Sequence, residues 1–174
     1  HRVVVLSGFA TPTELRTVAD FGLDVVIHTL EQVALLESTA LPAPVAGWLK
    51  VDTGMGRLGL LPEEVVPFVQ GLASLPHLQV EGIFTHMSDA DDADLDYTYW
   101  QLERFQQVLD ALDHQGLLPP LIHAANSATI LRVPTGRYNL VRLGILDCIE
   151  DGREVLYAAR EAYTGCARHR SREH

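Results

Sequence analysis

Apolar positions along the chain alternate between two spacings. Short β-branched or continuously apolar runs predict buried strands at residues 3–6, 24–28, 45–51, 78–85, 121–123 and 140–145. The stretches between them carry helix signals. Thr11-Pro12-Thr13-Glu14 sets a capping Thr, a Pro in the first turn and a Glu three residues after the Thr, which predicts a helix ending near Gly22. A second helix is expected over 30–38, after which Pro42 and Pro44 break the chain. Pro62-Glu63-Glu64 opens a third that runs through Leu72. Leu95, Tyr99, Leu102, Phe105, Leu109 and Leu112 recur close to every 3.6 residues, so 94–114 is predicted to be the longest helix. A short helical turn is expected at 127–131. Six strands alternating with helices, without internal repeat, predict an α/β fold on a parallel sheet. Residues 147–163 read as one more helix, and 168–174 as a polar tail without an apolar face, expected to fray.

Composition narrows the partners. The 174 residues suffice for one domain with a sizeable core, and 13 Lys and Arg against 23 Asp and Glu leave a formal charge of -10. That argues against nucleic acid or an anionic membrane, which call for a basic face. No run reaches the roughly 20 apolar residues of a membrane span, and the first 30 residues lack a signal-peptide pattern. Cys148 and Cys166 are too few for a disulfide framework. The expectation is a soluble, cytoplasmic protein. One detail stands apart: twelve of the thirteen basic residues are arginine, and Lys50 is the only lysine.

In parallel α/β folds function gathers at the C-terminal ends of the strands. Four consecutive predicted strands end in polar clusters, at 50–59, 85–92, 123–127 and at Arg142 with Gly144. The Gly-rich segment 52–59 reads either as an anion cradle of backbone N–H groups or as an ordinary tight turn, since it has neither P-loop nor Gly-x-Gly-x-x-Gly spacing. The run Asp89, Asp91, Asp92, Asp94, Asp96 lacks the Gly and Glu that a calcium loop needs at its sixth and twelfth positions, so it reads as a solvated helix start. His86 and His123, without a third ligand, read as locally hydrogen-bonded rather than metal-binding.

In order and spacing, four stretches resemble the bacterial alanine racemases, fold-type III enzymes that use pyridoxal 5'-phosphate. They are Leu49-Lys50-Val51-Asp52-Thr53-Gly54-Met55-Gly56-Arg57-Leu58-Gly59, Glu81-Gly82-Ile83-Phe84-Thr85-His86-Met87-Ser88, His123-Ala124-Ala125-Asn126-Ser127-Ala128 and Val141-Arg142-Leu143-Gly144-Ile145. The resemblance implies a partial (β/α) barrel, about six of eight parallel strands over 1–146, followed by an unmatched tail over 147–174. It implies that Arg57 binds the cofactor's phenolic oxygen and the substrate carboxylate, a bidentate task suited to a planar, permanently charged fork. Lys50 resembles the carbamylated lysine that holds this arginine. Arg142 resembles the donor to the pyridine nitrogen, His123 the residue bracing it, and His86 the one beside the ring. Ser127 with the N–H groups of Gly144 and Ile145 resembles a phosphate site, while Asn126 reads as structural. The implied activity is an isomerase interconverting L- and D-alanine in a homodimer, supplying D-alanine for peptidoglycan. Two family features have no counterpart here: the N-terminal segment with the cofactor-carrying lysine, and the β-rich second domain. The 174 residues are therefore expected to be a fragment inactive alone. The alternative is a non-catalytic remnant that binds pyridoxal phosphate or phosphate, or docks with intact subunits.

Overall fold

The computed structural model describes residues 2–144. Five parallel strands, β1 (Val4–Val5), β2 (Asp24–Ile27), β3 (Val45–Lys50), β4 (Leu78–Phe84) and β5 (Leu121–His123), pair in sequential order, each with the next. That order, with helices between strands, is the arrangement of a (β/α) barrel arc. The helices are α1 (Pro12–Asp20), α2 (Leu30–Ser38), α3 (Pro62–Leu72), α4 (Asp96–Asp113) and α5 (Ser127–Arg132).

Local chemistry sets the helix starts. Thr11 Oγ1 accepts from Glu14 N at 3.2 Å while the Glu14 carboxylate accepts from Thr11 N at 3.1 Å, a reciprocal capping box. Thr29 caps α2 through Gln32 N, and Asn126 caps α5 through Thr129 N. Helix α4 starts two residues later than its apolar stripe suggests. Asp92 and Asp94 use their carboxylates to accept from the N–H two residues on, at 3.2 and 2.8 Å, holding that stretch as turns. The acidic run is thus a helix approach, and Arg132 clamps it by donating to the carbonyls of Ala90 and Asp92.

The period-two alternation sorts the strands into two faces. Val25, Ile27, Leu49 and Ile83 point to the helix layer and join Leu15, Leu36, Val65, Phe105 and Leu112 in the main core. On the other face Val26, Trp48 and Phe84 form a second buried cluster with Val4, Leu121 and Leu140. Lys50, two residues beyond Trp48 at the end of β3, and His86, two beyond Phe84 and just past β4, continue that second row.

Residues 140–144 do not make the expected sixth strand. The side-chain amide of Asn139 takes the place of backbone beside β5, accepting from Ile122 N at 2.7 Å and donating to Pro120 O at 2.8 Å. Only then does the segment donate its own amides, Leu140 N to Ile122 O and Arg142 N to Ala125 O. It lies along β5 without forming a ladder, yet Arg142 still reaches the strand ends. Ile145 and the predicted helix and tail lie outside the described residues. Among the described residues no helix is long and apolar enough to cross a membrane.

Candidate functional site

The Gly-rich segment is a closed loop, and the amides of Gly54 and Gly56 are already used. Asp52 N donates to Leu60 O and Leu60 N to Lys50 O, drawing the ends together, while the Asp52 carboxylate accepts from Gly54 N at 3.0 Å and Gly56 N at 3.1 Å. An internal carboxylate thus occupies these amides, which corrects the anion-cradle reading. Gly59 has φ +132°, and a Cβ there would lie 2.6 Å from Asp52 N, so only glycine lets the loop close. The loop's product is the placement of Arg57.

Leu6, Ser7, Lys50, Arg57, Leu58, Phe84, His86 and Arg142 line one open cavity of about 210 Å³ at the C-terminal ends of the strands. Four of the residues singled out in the sequence therefore meet there. Arg142 Nη2 donates to His86 Nδ1. A guanidinium can only donate, so His86 Nδ1 is an acceptor and the neutral ring carries its proton on Nε2. The resemblance pairs Arg142 with His123 instead. His123 stacks on Phe84, centroids 4.6 Å apart, and among the described residues both His123 Nδ1 and Arg142 Nε are buried without a hydrogen-bond partner. Ser127 and Gly144 also come together, Gly144 N donating to Ser127 Oγ at 3.1 Å.

The electrostatics have one sign. Burial first, then Arg57 and Arg142, pull the Lys50 ammonium below its usual range, with Asp52 the only opposing charge. Burial and Arg57 lower Arg142 likewise. His86 is pushed down to about 4 by burial, Arg142, Arg57 and Lys50, and His123 to about 3 by burial, Arg142 and His86. Among the described residues the ion pairs belong to Arg2, with Asp24 and Glu81, and Arg2 and Asp24 stand at the N-terminal ends of the strands, away from the cavity. Lys50, Arg57 and Arg142 thus crowd together with no paired carboxylate, in a chain of net charge -10. Crowding like charges costs stability, and an anionic ligand bearing hydrogen-bond acceptors relieves it.

The depressed histidines also set a pH dependence. At pH 7 neither the folded nor the unfolded chain protonates them. Below about 6.5 the unfolded chain takes up protons that the fold refuses, so stability falls with pH, levelling off near 4 for His86 and near 3 for His123. At pH 5 His123 alone should have cost about 2 kcal/mol. Urea unfolding should show a lower midpoint at pH 5 than at pH 7, with His123→Phe removing about half of the difference, since His86 contributes nearly as much at that pH. Equal midpoints for the unaltered chain would contradict this electrostatic picture.

Sequence reasoning missed several residues of this region. His28 stands just past the end of β2, two residues beyond inward-facing Val26 and next after the Ile27–Leu49 pair, as Lys50 is on β3, with Nδ1 buried and without a hydrogen-bond partner among the described residues. Burial and Lys50 lower its pKa. Its parity with Val26 was the available signal. Thr53, Thr85 and Gln101 form a buried hydrogen-bonded group behind the loop, for which local pattern gives no sign.

The profile of the family described as alanine racemase, N-terminal domain, matches residues 1–147. An alanine racemase of Symbiobacterium thermophilum is 40% identical over 144 residues, 82% of this chain and 38% of the relative. One from Thioalkalivibrio sulfidiphilus is 43% identical over 146 residues, 83% of this chain and 39% of the relative. Among solved structures, the alanine racemase of Bacillus anthracis with bound L-Ala-P superposes with a TM-score of 0.76 at 29% identity, over 83% of this chain and 38% of that one. The alanine racemase of E. faecalis gives 0.75 at 35% identity, over 83% and 39%. The chain thus spans about two fifths of the length of the relatives it matches.

Proposed function

The chain belongs to the alanine racemase family, through that family's N-terminal domain, and from this premise we propose that its strand ends form the cationic wall of a pyridoxal-phosphate-dependent site acting on alanine. The observation that carries the reading is the meeting of Lys50, Arg57, His86 and Arg142 in one cavity where no carboxylate of the described residues is paired to the cations. The donor set suits an anionic, acceptor-rich cofactor. Among the described residues the three cations have no ion-pair partner and Arg142 Nε is a buried donor without an acceptor, while Ser127 lies against the Gly144 amide.

In this reading Ser127 with the amides of Gly144 and Ile145 would hold the phosphate, and Arg142 the pyridine nitrogen. When bound, the cofactor supplies the electron-withdrawing ring that makes the substrate Cα–H acidic. Arg142 does not give up its proton, so it would keep that nitrogen unprotonated and moderate the ring's pull. His86, neutral with Nδ1 facing Arg142, orients the guanidinium without adding charge. His123, behind it, shields the same group from water. Arg57, exposed on its loop, would bind the substrate carboxylate and the phenolic oxygen through its fork, and Lys50 at the root of the loop would hold Arg57 in place. The racemisation partner groups, the alanine substrate and the dimer are part of the proposal for the whole protein.

A second reading, binding without turnover, is favoured by one observation: the single amine side chain of these 174 residues, Lys50, stands at the root of the arginine loop. Calorimetric titration with pyridoxal phosphate tests the shared premise. One-to-one binding weakened by inorganic phosphate is expected, and no binding would remove both readings. Formation of D-alanine from L-alanine by the same chain would then separate catalysis from binding alone.

A further inference from the structure

Helix α4 passes behind the loops that carry Arg57 and His86, and its first turns fasten both. Tyr97 donates its hydroxyl to Gly54 O at 2.7 Å. One turn on, Gln101 is fully buried, and its amide is saturated. Oε1 accepts from Ser88 N and Ser88 Oγ, both at 3.0 Å, while Nε2 donates to Thr53 Oγ1 and to His86 O, both at 3.3 Å. Because a backbone N–H can only donate, the bond from Ser88 N fixes which end of the amide faces which loop. The hydroxyls of Thr53 and Thr85 share a further bond of 2.8 Å, joining the ends of β3 and β4.

One side chain therefore ties the helix to the loop of Arg57, four residues beyond Thr53, and to the backbone of His86 itself. We propose that Gln101 is a positioning residue for the site: its amide sets the spacing between the Arg57 loop and His86, and so the contact of His86 with Arg142. The proposal rests on reading this cavity as the anion-binding site, and it concerns geometry rather than chemistry, since Gln101 touches neither the cavity nor its occupant. A core filler of the same shape would be indifferent to the loss of the amide. A positioning residue would not be, because four partners in two loops then lose their shared anchor at once.

The test is the titration of His86 in the full chain, followed by NMR of its ring. The groups facing His86 are Arg142, Arg57 and Lys50, with His123 behind Arg142. Gln101→Met keeps the volume and removes every hydrogen bond. It should let the loops separate, admit water to the ring, and raise the His86 titration by about one unit or more from its low value. Affinity for pyridoxal phosphate should fall in parallel. Val108→Ala, which loosens the packing of α4 further along without touching either loop, should lower the melting temperature and leave the His86 titration in place. If Gln101→Met does not fold, Gln101→Asn, which keeps the amide but draws it back by one methylene, carries the same expectation. An unshifted His86 in the folded variant overturns the proposal, as does an equal shift in Val108→Ala. The titration is read without ligand, so a chain that fails to bind pyridoxal phosphate would remove the functional reading while leaving the role of Gln101 decided on its own.

Discussion

Arg142→Ala should bind pyridoxal phosphate roughly 10–100-fold more weakly, the effect of losing a charge-assisted hydrogen bond of about 1.5–3 kcal/mol, and should melt no lower than the unaltered chain. The two halves of this expectation have one cause. Arg142 is a partly buried cation whose pKa is lowered by burial and by Arg57, and its Nε has no acceptor among the described residues. In the free protein it is an electrostatic cost, which the proposed anionic ligand would relieve. Removing it relieves the repulsion with Arg57 and Lys50 and forfeits only the hydrogen bond to His86. The same substitution should raise the titrations of His86 and His123, since after burial Arg142 is the first charge depressing each. Calorimetric titration, a thermal melt and histidine NMR check the three parts. Unchanged affinity would remove Arg142 from the site, and a large fall in melting temperature would make it a structural arginine. Arg142→Lys is expected to recover little, because a point charge replaces a planar fork.

Binding without stability gain would be the signature of a site, and the members of this one are partly legible in the sequence. Lys50, Arg57, His86, His123 and Arg142 each sit at or just past an apolar run, and a parallel sheet brings the ends of such runs to one side. The helix starts were equally legible, because the groups that cap them are sequence neighbours: Thr11 and Glu14 are three apart, as are Asn126 and Thr129. What local pattern could not supply is the long-range hydrogen bond. Asn139 displaces a sixth strand by bonding Ile122, seventeen residues away, although 140–145 has an acceptable strand composition. The anion-cradle reading fails because Asp52, which looks like one more polar residue of the loop, turns its carboxylate onto Gly54 and Gly56. Gln101 carries no signal at all. The stripe of α4 was read from apolar positions, and a buried amide on the same helix matters only through Thr53, His86 and Ser88 on other elements.

Trp48→Ala should cost about 3–5 kcal/mol of stability, the range for truncating a buried aromatic, a large part of the 5–15 kcal/mol by which an ordinary domain is stable. Trp48 is the largest side chain of the smaller cluster, beside Val26 and Phe84, where few neighbours are available to collapse into the space. Its ring lies against Gly82 so closely that a Cβ there would be 2.4 Å away, so position 82, the nearest on β4, has no side chain to fill the gap. Its indole N–H donates at 2.8 Å to Asp24, which is itself buried and also receives two bonds from Arg2. Trp48→Phe separates the two contributions: it retains the aromatic packing and loses the bond to Asp24, and should cost about 1–2 kcal/mol. Urea unfolding of both variants measures the difference, and a loss below about 1 kcal/mol for Trp48→Ala would mean that the cluster adds little to the core. The consequence reaches the site. His123 lies between Phe84, stacked on it, and Trp48, tilted at 5.8 Å. Opening the Trp48 side to water should raise the His123 titration from about 3, with burial its leading cause. A destabilised Trp48→Ala in which His123 stays depressed would assign that shielding to Phe84 and the strand ends. A raised one would show that the packing beneath the cation cluster keeps its histidines neutral.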